Sequence, residues 1–531
     1  MPLQGSGEQG TEDTTTIAHC CALTVLIMGG IAFVLRLGTS AAPLLDSGAD
    51  RAVMGGVGLG LLACTAPALL ARARGNMLVG RLAISAALPV IIVAAAAILG
   101  QASNQMAPTF GLFAPVGILA LGLCSFILLL LVGGPAGAPR AVVIGASLLL
   151  ALWLASASWG GTFHSALFEV QLALGRTHVD TLFHASLGNM LLTYGVPSTG
   201  LDGPEPIPYH FMSHWLFGSL SLLFGCSVLA VYNLVYPIVF LPLFAYAALQ
   251  FAAALGRSGL VSKAPPAADV RLRYASFFWA LTLIGFVGVL PTNTSLQMGI
   301  WDNVLRGESF TLAVTVMFMC GSLVVYGAAQ VLSDASDARA SRIVLSIAAV
   351  VMLAVAGFLK VSVLFVLAPP VAYAFVRWQG YRRLDTWVTA IALALVLVAI
   401  HAVTRGAGGD ALRLDPLHFL TTYVPATLRP FSAVFYFWWL LLYCVMRLVE
   451  ERCRTVEDVL VAVRSRRAVD VELALILALA SVLPGVLFAL PSGAANYFSE
   501  VHRWVAFALV LGAVLRMRPR LFPLRTGKSA E

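Results

Sequence analysis

The sequence predicts an all-α polytopic membrane protein, with about 14 transmembrane helices and one long external loop carrying juxtamembrane helices. Three observations predict it. Of the 531 residues, 60% are hydrophobic and 11% are charged, against roughly 25% charged in soluble domains. Mean hydropathy is +0.90. Apolar runs of about 20 residues, the length a spanning helix needs, recur along the whole chain.

The first 16 residues are polar and acidic, with Glu8, Glu12 and Asp13. They lack the basic region and cleavage site of a removable signal peptide, so the first apolar run is expected to stay. Residues 1–16 read as a cytoplasmic tail and 17–157 as a five-helix bundle, with spans at 17–37, 52–71, 82–100, 110–132 and 141–157. Residues 158–209 form the external loop and candidate active site. From 210 to 516 the remaining segments are 210–226, 228–255, 274–291, 309–331, 342–358, 361–376, 386–403, 431–448, 470–490 and 501–516. Residues 517–531 make a basic cytoplasmic tail.

Arginine and lysine set the orientation, because they concentrate in cytoplasmic loops. Arg72, Arg74, Arg81 and Arg140 mark the inside early in the chain, which puts 158–209 outside. Arg257, Lys263, Arg271 and Arg273, then Arg377, Arg382 and Arg383, then 449–469 and the C-terminal arginines mark the inside later. Ser198 is therefore expected outside and Ser465 inside. These marks conflict with the count: the segments are odd in number, yet both termini read as cytoplasmic. One segment near 210–255 or in the pair 342–358/361–376 must fail to cross. Residues 292–308 (with Asn293, Trp301, Asp302, Arg306 and Glu308), 404–430 and 491–500 are further external segments.

The formal net charge of +8 reflects these loops. No basic run is interleaved with aromatics, so a nucleic-acid groove is not indicated. The eight cysteines mostly sit in apolar runs, where Cys acts as a small hydrophobe. There is no CxxC pair and no GxxxxGK[ST] phosphate loop.

The long loop is the polar anomaly. It and its edge hold five of the nine histidines: His164, His178, His184, His210 and His214. Phe163, Leu167, Val170 and Leu174 recur at helical spacing and predict an interfacial helix over 162–175 that stops at Gly175. Asp180 is placed to cap a second helix over 181–192. His184 follows four residues later on the same face, where a carboxylate can orient an imidazole. Capping and chemistry are both open for Asp180. Gly195, Pro197, Gly200, Gly203, Pro204, Pro206 and Pro208 make 195–208 a loop, with Asp202 and Glu205 as its carboxylates. His210 and His214 are spaced i, i+4 and share a face; such a pair can ligate a metal or sit as interfacial imidazoles. Lys360 lies between two apolar runs, a costly position unless paired or at an interface, although snorkelling also accommodates it.

The run Asp180-Thr-Leu-Phe-His184, then Tyr194-Gly195, then Tyr209-His210-Phe211-x-x-His214, resembles polytopic glycosyltransferases of the GT-C type. Lys360 between its apolar segments and Asn496-Tyr-Phe498 before the last helix look similar too. The resemblance implies a transferase using a polyprenyl-phosphate-linked sugar donor at the outer face of the bacterial inner membrane, with membrane lipid and an envelope saccharide, lipid or protein acceptor as partners. It implies Asp180 as base or acceptor-orienting carboxylate and His184 as its assistant or a phosphate ligand. Asp202, Glu205, Tyr209, His210, His214, Lys360 and Arg503 are the implied substrate-binding set. No cofactor is implied beyond a divalent cation, and the loop has no Asp-x-Asp or Glu-x-Asp pair to hold one. Five helices precede the loop, more than many such enzymes have. A transporter or flippase for a lipid-linked saccharide, or a non-catalytic component of envelope assembly, are the other readings. Carriers place charges near the bilayer midplane, whereas here the carboxylates cluster at external ends.

Overall fold

The computed structural model describes residues 6–37, 48–73, 78–103, 110–132, 140–160, 163–257, 277–283, 307–333, 338–377, 380–404, 413–423, 429–451, 453–465, 468–489 and 495–521. Asn293, Trp301, Asp302 and Arg306, and Lys263, Arg271 and Arg273 of the charge cluster, lie outside the described residues. Among the described residues, nine helices are long and apolar enough to cross a membrane, and four shorter apolar helices accompany them. The chain is an all-α polytopic membrane protein.

The first five helices are α1 (Ser6–Leu37), α2 (Ala49–Ala73), α3 (Leu78–Ser103), α4 (Phe110–Val132) and α5 (Arg140–Trp159). Helix α1 starts well before the expected boundary at residue 17, and Thr14, Thr15 and Thr16 are already buried. Helices α2 and α4 touch through glycine. A Cβ on Gly58 would lie 2.5 Å from the backbone of Leu119, and one on Gly122 would lie 2.6 Å from the Gly58 carbonyl. Small residues permit such backbone approach where hydrocarbon gives no hydrophobic drive.

Three short helices follow: α6 (Phe168–Ala173), α7 (Val179–Tyr194) and α8 (Met212–Phe224). The expected interfacial helix at 162–175 shrinks to α6; Leu167 precedes it, and Gly175 has φ of +65°, a left-handed turn that ends it. Helix α9 (Val228–Ala230) continues into a π-helical stretch (Val231–Phe240) and α10 (Leu241–Arg257). Pro237 explains the π stretch. It has no N–H for the carbonyl of Asn233, four residues back, and its ring crowds that carbonyl. The freed oxygen instead accepts the Trp159 indole N–H at 2.8 Å.

The C-terminal half contains α11 (Glu308–Ser333), α12 (Ala338–Leu359), α13 (Val361–Arg377), α14 (Leu384–Thr404), α15 (His418–Tyr423), α16 (Arg429–Glu450), α17 (Val456–Arg464), α18 (Val469–Leu487) and α19 (Ala495–Leu521). A two-residue ladder pairs Arg413 with Ala489 and Leu414 with Phe488, antiparallel.

Side-chain ties define two ends of the bundle. At one end Arg36 bonds Glu169 bidentately at 2.8 and 3.0 Å, Arg51 donates to the Gly225 carbonyl at 3.0 Å, and Ser165 N–H donates to Asn233 at 2.8 Å. At the other end Arg447 meets Asp470 at 2.7 Å and Glu450 at 2.6 Å, Arg377 meets Glu472 at 2.9 Å, and Arg516 meets Glu450 at 3.4 Å and the Leu255 carbonyl at 3.2 Å. Val228 to Arg257 thus runs from the first end to the second.

Helix α8 does not. Its 13 residues rise about 20 Å, short of the about 30 Å hydrocarbon core. Its last turn ends beside Arg51, which donates to the Gly225 carbonyl. Within 210–255, α8 is therefore the segment too short to span on its own. Helices α12 and α13 are a separate matter: they meet directly at Lys360, with Arg377 at the far end.

Candidate functional site

The site forms where α7, α8, α11, the π stretch and the α12–α13 corner meet. Helix α7 begins with an imidazole. The His178 Nδ1 accepts the backbone N–H of Asp180 at 3.2 Å, so His178 is the cap. The expected cap, Asp180, sits inside the first turn, where the helix dipole favours a carboxylate. Its side chain is 60% exposed, with His178 Nδ1 3.8 Å away. One turn on, His184 points inward. Gly188 lets α7 approach α8, because a Cβ there would lie 2.8 Å from Val228 and 3.4 Å from the His214 carbonyl. This brings His184 Nδ1 to 2.9 Å from His214 Nε2.

The third member is Glu308, at the start of α11. Its Oε1 lies 3.5 Å from His184 Nδ1 and 4.0 Å from His214 Nε2. The Glu308 side chain is 2% exposed and that of His214 is fully buried. Two hydroxyls brace the group: Ser309 donates to Glu308 Oε1 at 3.1 Å, and Ser213 in turn donates to the Ser309 oxygen at 2.8 Å. Among the described residues these three side chains are the set with donor atoms close enough to hold a metal ion. Glu308 occurs in the sequence only as the last polar residue of an external segment. The available signal is a lone acid opening an apolar helix, and nothing local pairs it with His184 or His214.

Aromatic and basic groups surround the three. The Tyr209 ring stacks on His210 at 4.0 Å and lies 5.6 Å from the His214 ring. Burial and then the Glu308 carboxylate push the Tyr209 phenol well above its ordinary range, with Asp180 adding to the effect. Tyr209 thus stands within electrostatic reach of both carboxylates. Tyr232 stacks 6.1 Å from His184, with its planes 14° apart. Its hydroxyl and His210 Nε2 are buried without a hydrogen-bond partner among the described residues. Buried polar groups are rarely left so. Lys360 Nζ stands 3.8 Å over the Tyr497 ring, a cation–π contact. Phe211 and Phe358, 6.2 Å apart, close the corner beside it.

His164 lies behind the cluster, stacked on Tyr236 at 5.0 Å. Full burial, then the neighbouring His184 and His178, lower its pKa to about 3. It is a neutral packing group.

An apolar cavity of about 490 Å³ adjoins the cluster. Tyr209 and Phe211 form one wall, and Pro206, Ile207 and Pro208 of the loop another. Val403 completes it from α14, whose spanning window is only 6% buried.

The sequence-predicted residues divide into three groups. His184, Tyr209, His210 and His214 come together, with Lys360 at the edge. Asp180, Asp202 and Glu205 are exposed on the loop side. Asp202 occupies the tight turn closed by the Gly200–Gly203 bridge. Arg503 is 1% exposed on α19, six residues and about 9 Å of helix rise beyond Tyr497. No family model, curated protein or solved structure matches this chain.

Proposed function

We propose that the protein is a membrane transferase that takes a sugar from a polyprenyl-phosphate-linked donor and passes it to an envelope acceptor, at the outer face of the bacterial inner membrane. The observation that carries this reading is the shared wall. Tyr209 lines an apolar cavity on one side and a cluster of imidazoles, Glu308 and Lys360 on the other. An amphiphile with an apolar chain and an anionic head matches that pairing of surfaces. Its prenyl chain lies against Ile207, Phe211 and Val403, and its phosphate is drawn to Lys360 and His210.

In this reading the acceptor arrives from the aqueous side, where Asp180 is exposed. Its hydroxyl oxygen attacks the anomeric carbon and forms the new glycosidic bond. The bond from that carbon to the phosphate oxygen breaks, and the phosphate leaves with the electron pair. The hydroxyl proton passes to the Asp180 carboxylate. General-base assistance of this kind contributes about 10²–10⁴-fold, and cations held near the departing phosphate stabilise its growing charge. Asp202 and Glu205, on the covering loop, contact the acceptor.

The test is sugar transfer in proteoliposomes with a short prenyl-phosphate-linked sugar, scored by release of prenyl phosphate. Asp180→Asn should lower turnover by about 10²-fold or more and leave donor binding intact. Lys360→Gln should weaken donor binding. Full turnover in Asp180→Asn removes it from the base role; donor crossing the bilayer unchanged, with no phosphate released, replaces transfer by transport.

A further inference from the structure

We propose that His184, His214 and Glu308 bind one divalent transition metal ion of the zinc class, leaving at least one coordination position for an oxygen ligand. The inference stands on the donor geometry and holds whether or not the transferase reading does.

Three lone-pair-bearing atoms converge on one point. Their separations are 2.9 Å (His184 Nδ1 to His214 Nε2), 3.5 Å (His184 Nδ1 to Glu308 Oε1) and 4.0 Å (His214 Nε2 to Glu308 Oε1). A triangle of these sides has a centre about 2.1 Å from each corner, which is the bond length of zinc to imidazole nitrogen and carboxylate oxygen. Hydrogen bonding alone fits less well. A single proton on His184 Nδ1 can serve His214 or Glu308, and it leaves the other facing a lone pair.

The environment calls for a cation. Glu308 and His214 are essentially excluded from solvent, and a buried carboxylate is costly without a partner. Among the described residues, Glu308 pairs with these two histidines and no lysine or arginine lies within ion-pair distance; the buried Lys360 acts on it only from farther away. The Ser309 hydroxyl donates to Glu308 Oε1 and is itself tied to Ser213. Such outer contacts hold metal-ligating carboxylates in orientation. The Tyr232 hydroxyl and His210 Nε2, buried without hydrogen-bond partners among the described residues, belong to rings 6.1 Å from those of His184 and His214 respectively and are candidate polar neighbours for whatever occupies the open position.

The donor set also selects the ion. Two imidazoles and one carboxylate suit zinc and its transition-metal neighbours; magnesium and calcium prefer sets built of oxygen. Two His and one Glu, with a position left over, is a set used where zinc does chemistry. The ligands come from three helices, α7, α8 and α11, so the ion would also tie the two loop helices to the spanning bundle.

The experiment uses the full chain in detergent, stripped with a chelator and titrated with Co²⁺. The expected result is saturable uptake of one ion per chain, with visible ligand-field bands of low coordination number. Zn²⁺ should displace it and excess Mg²⁺ should not. X-ray absorption of the zinc-loaded protein should show two imidazoles and an oxygen shell at about 2.0–2.2 Å. Glu308→Gln and His214→Ala should abolish high-affinity uptake, and Ser309→Ala, an outer contact, should weaken it by about 10-fold or more. Absence of saturable uptake, an all-oxygen shell, displacement by Mg²⁺, or unchanged affinity in Glu308→Gln would each overturn the proposal. If the variants aggregate, the absorption spectrum of the unaltered protein decides alone.

Discussion

Glu308 and Asp180 show how burial sorts two acids at one site. Glu308 is sealed against two imidazoles, whereas Asp180 is open to water at the first turn of α7. His164 shows the same effect on a base. It is held neutral in the fold, so the unfolded chain takes up its proton at a higher pH than the folded one. The stability this gives is complete above the ordinary value of about 6.5 and declines as pH falls from there toward about 3. Thermal melting in detergent should therefore drop across the acid range, and His164→Phe, which keeps the stack on Tyr236, should flatten part of that drop. An identical acid slope in the variant would show that His164 is not the group responsible. At this scale the sequence was partly legible. The i, i+4 spacing brought His210 near His214, their rings 6.1 Å apart, although His210 precedes α8 and His214 meets His184 and Glu308 instead. The capping role of His178 was hidden, because imidazole is not a usual cap and Asp180 lay in an equally plausible register. Glu308 was hidden because it is 124 positions from His184 along the chain, a pairing that only the meeting of α7 with α11 creates.

Among elements, α8 carries most of the consequence. Its composition matches that of a spanning helix, and only its length and its ties to Arg51 set it apart. Two glycines hold it in place. A Cβ on Gly100 would collide with the Ser219 carbonyl, and a Cβ on Gly218 would come within 3.2 Å of the Gly188 carbonyl. Gly100→Val should destabilise the protein by about 1–3 kcal/mol, the usual cost of overpacking, read as a lower melting temperature in detergent. Gly117→Val is the control, since nothing lies within 4 Å of a Cβ there; equal losses in the two would mean that α3 does not bear on α8. The sequence disclosed Pro237 but not its effect, because the capture of the Asn233 carbonyl by Trp159 joins two distant segments. It also disclosed α17 poorly: Thr455 and Asp458 form a capping box there, inside a stretch read only as a charged loop. The backbone N–H bonds of that box hold the Asp458 carboxyl below its ordinary value.

For the whole molecule, the bundle has a site end and an arginine-rich end. The helical class was legible at once, because apolar runs of spanning length cannot be stable otherwise in hydrocarbon. The path of the chain was less legible, since hydropathy alone does not say whether a short apolar helix such as α8 crosses. Single-cysteine labelling addresses sidedness. Ser198 is buried and suits this poorly, so Leu201, 86% exposed, and Val456, 77% exposed, are the better positions. An impermeant thiol reagent applied outside should modify Leu201→Cys and spare Val456→Cys; modification of both from one side would refute the two-ended arrangement. The most direct measurement concerns what the site end holds. A prenyl phosphate carrying a photoactivatable group on its chain, irradiated in proteoliposomes and mapped by mass spectrometry, should label Ile207, Phe211 and Val403. Unlabelled prenyl phosphate should compete, and Lys360→Gln should reduce the yield. Labelling instead around Phe365 and Leu483, which line a second apolar cavity, or labelling unaffected by the phosphate, would contradict a phosphate-linked lipid at this site.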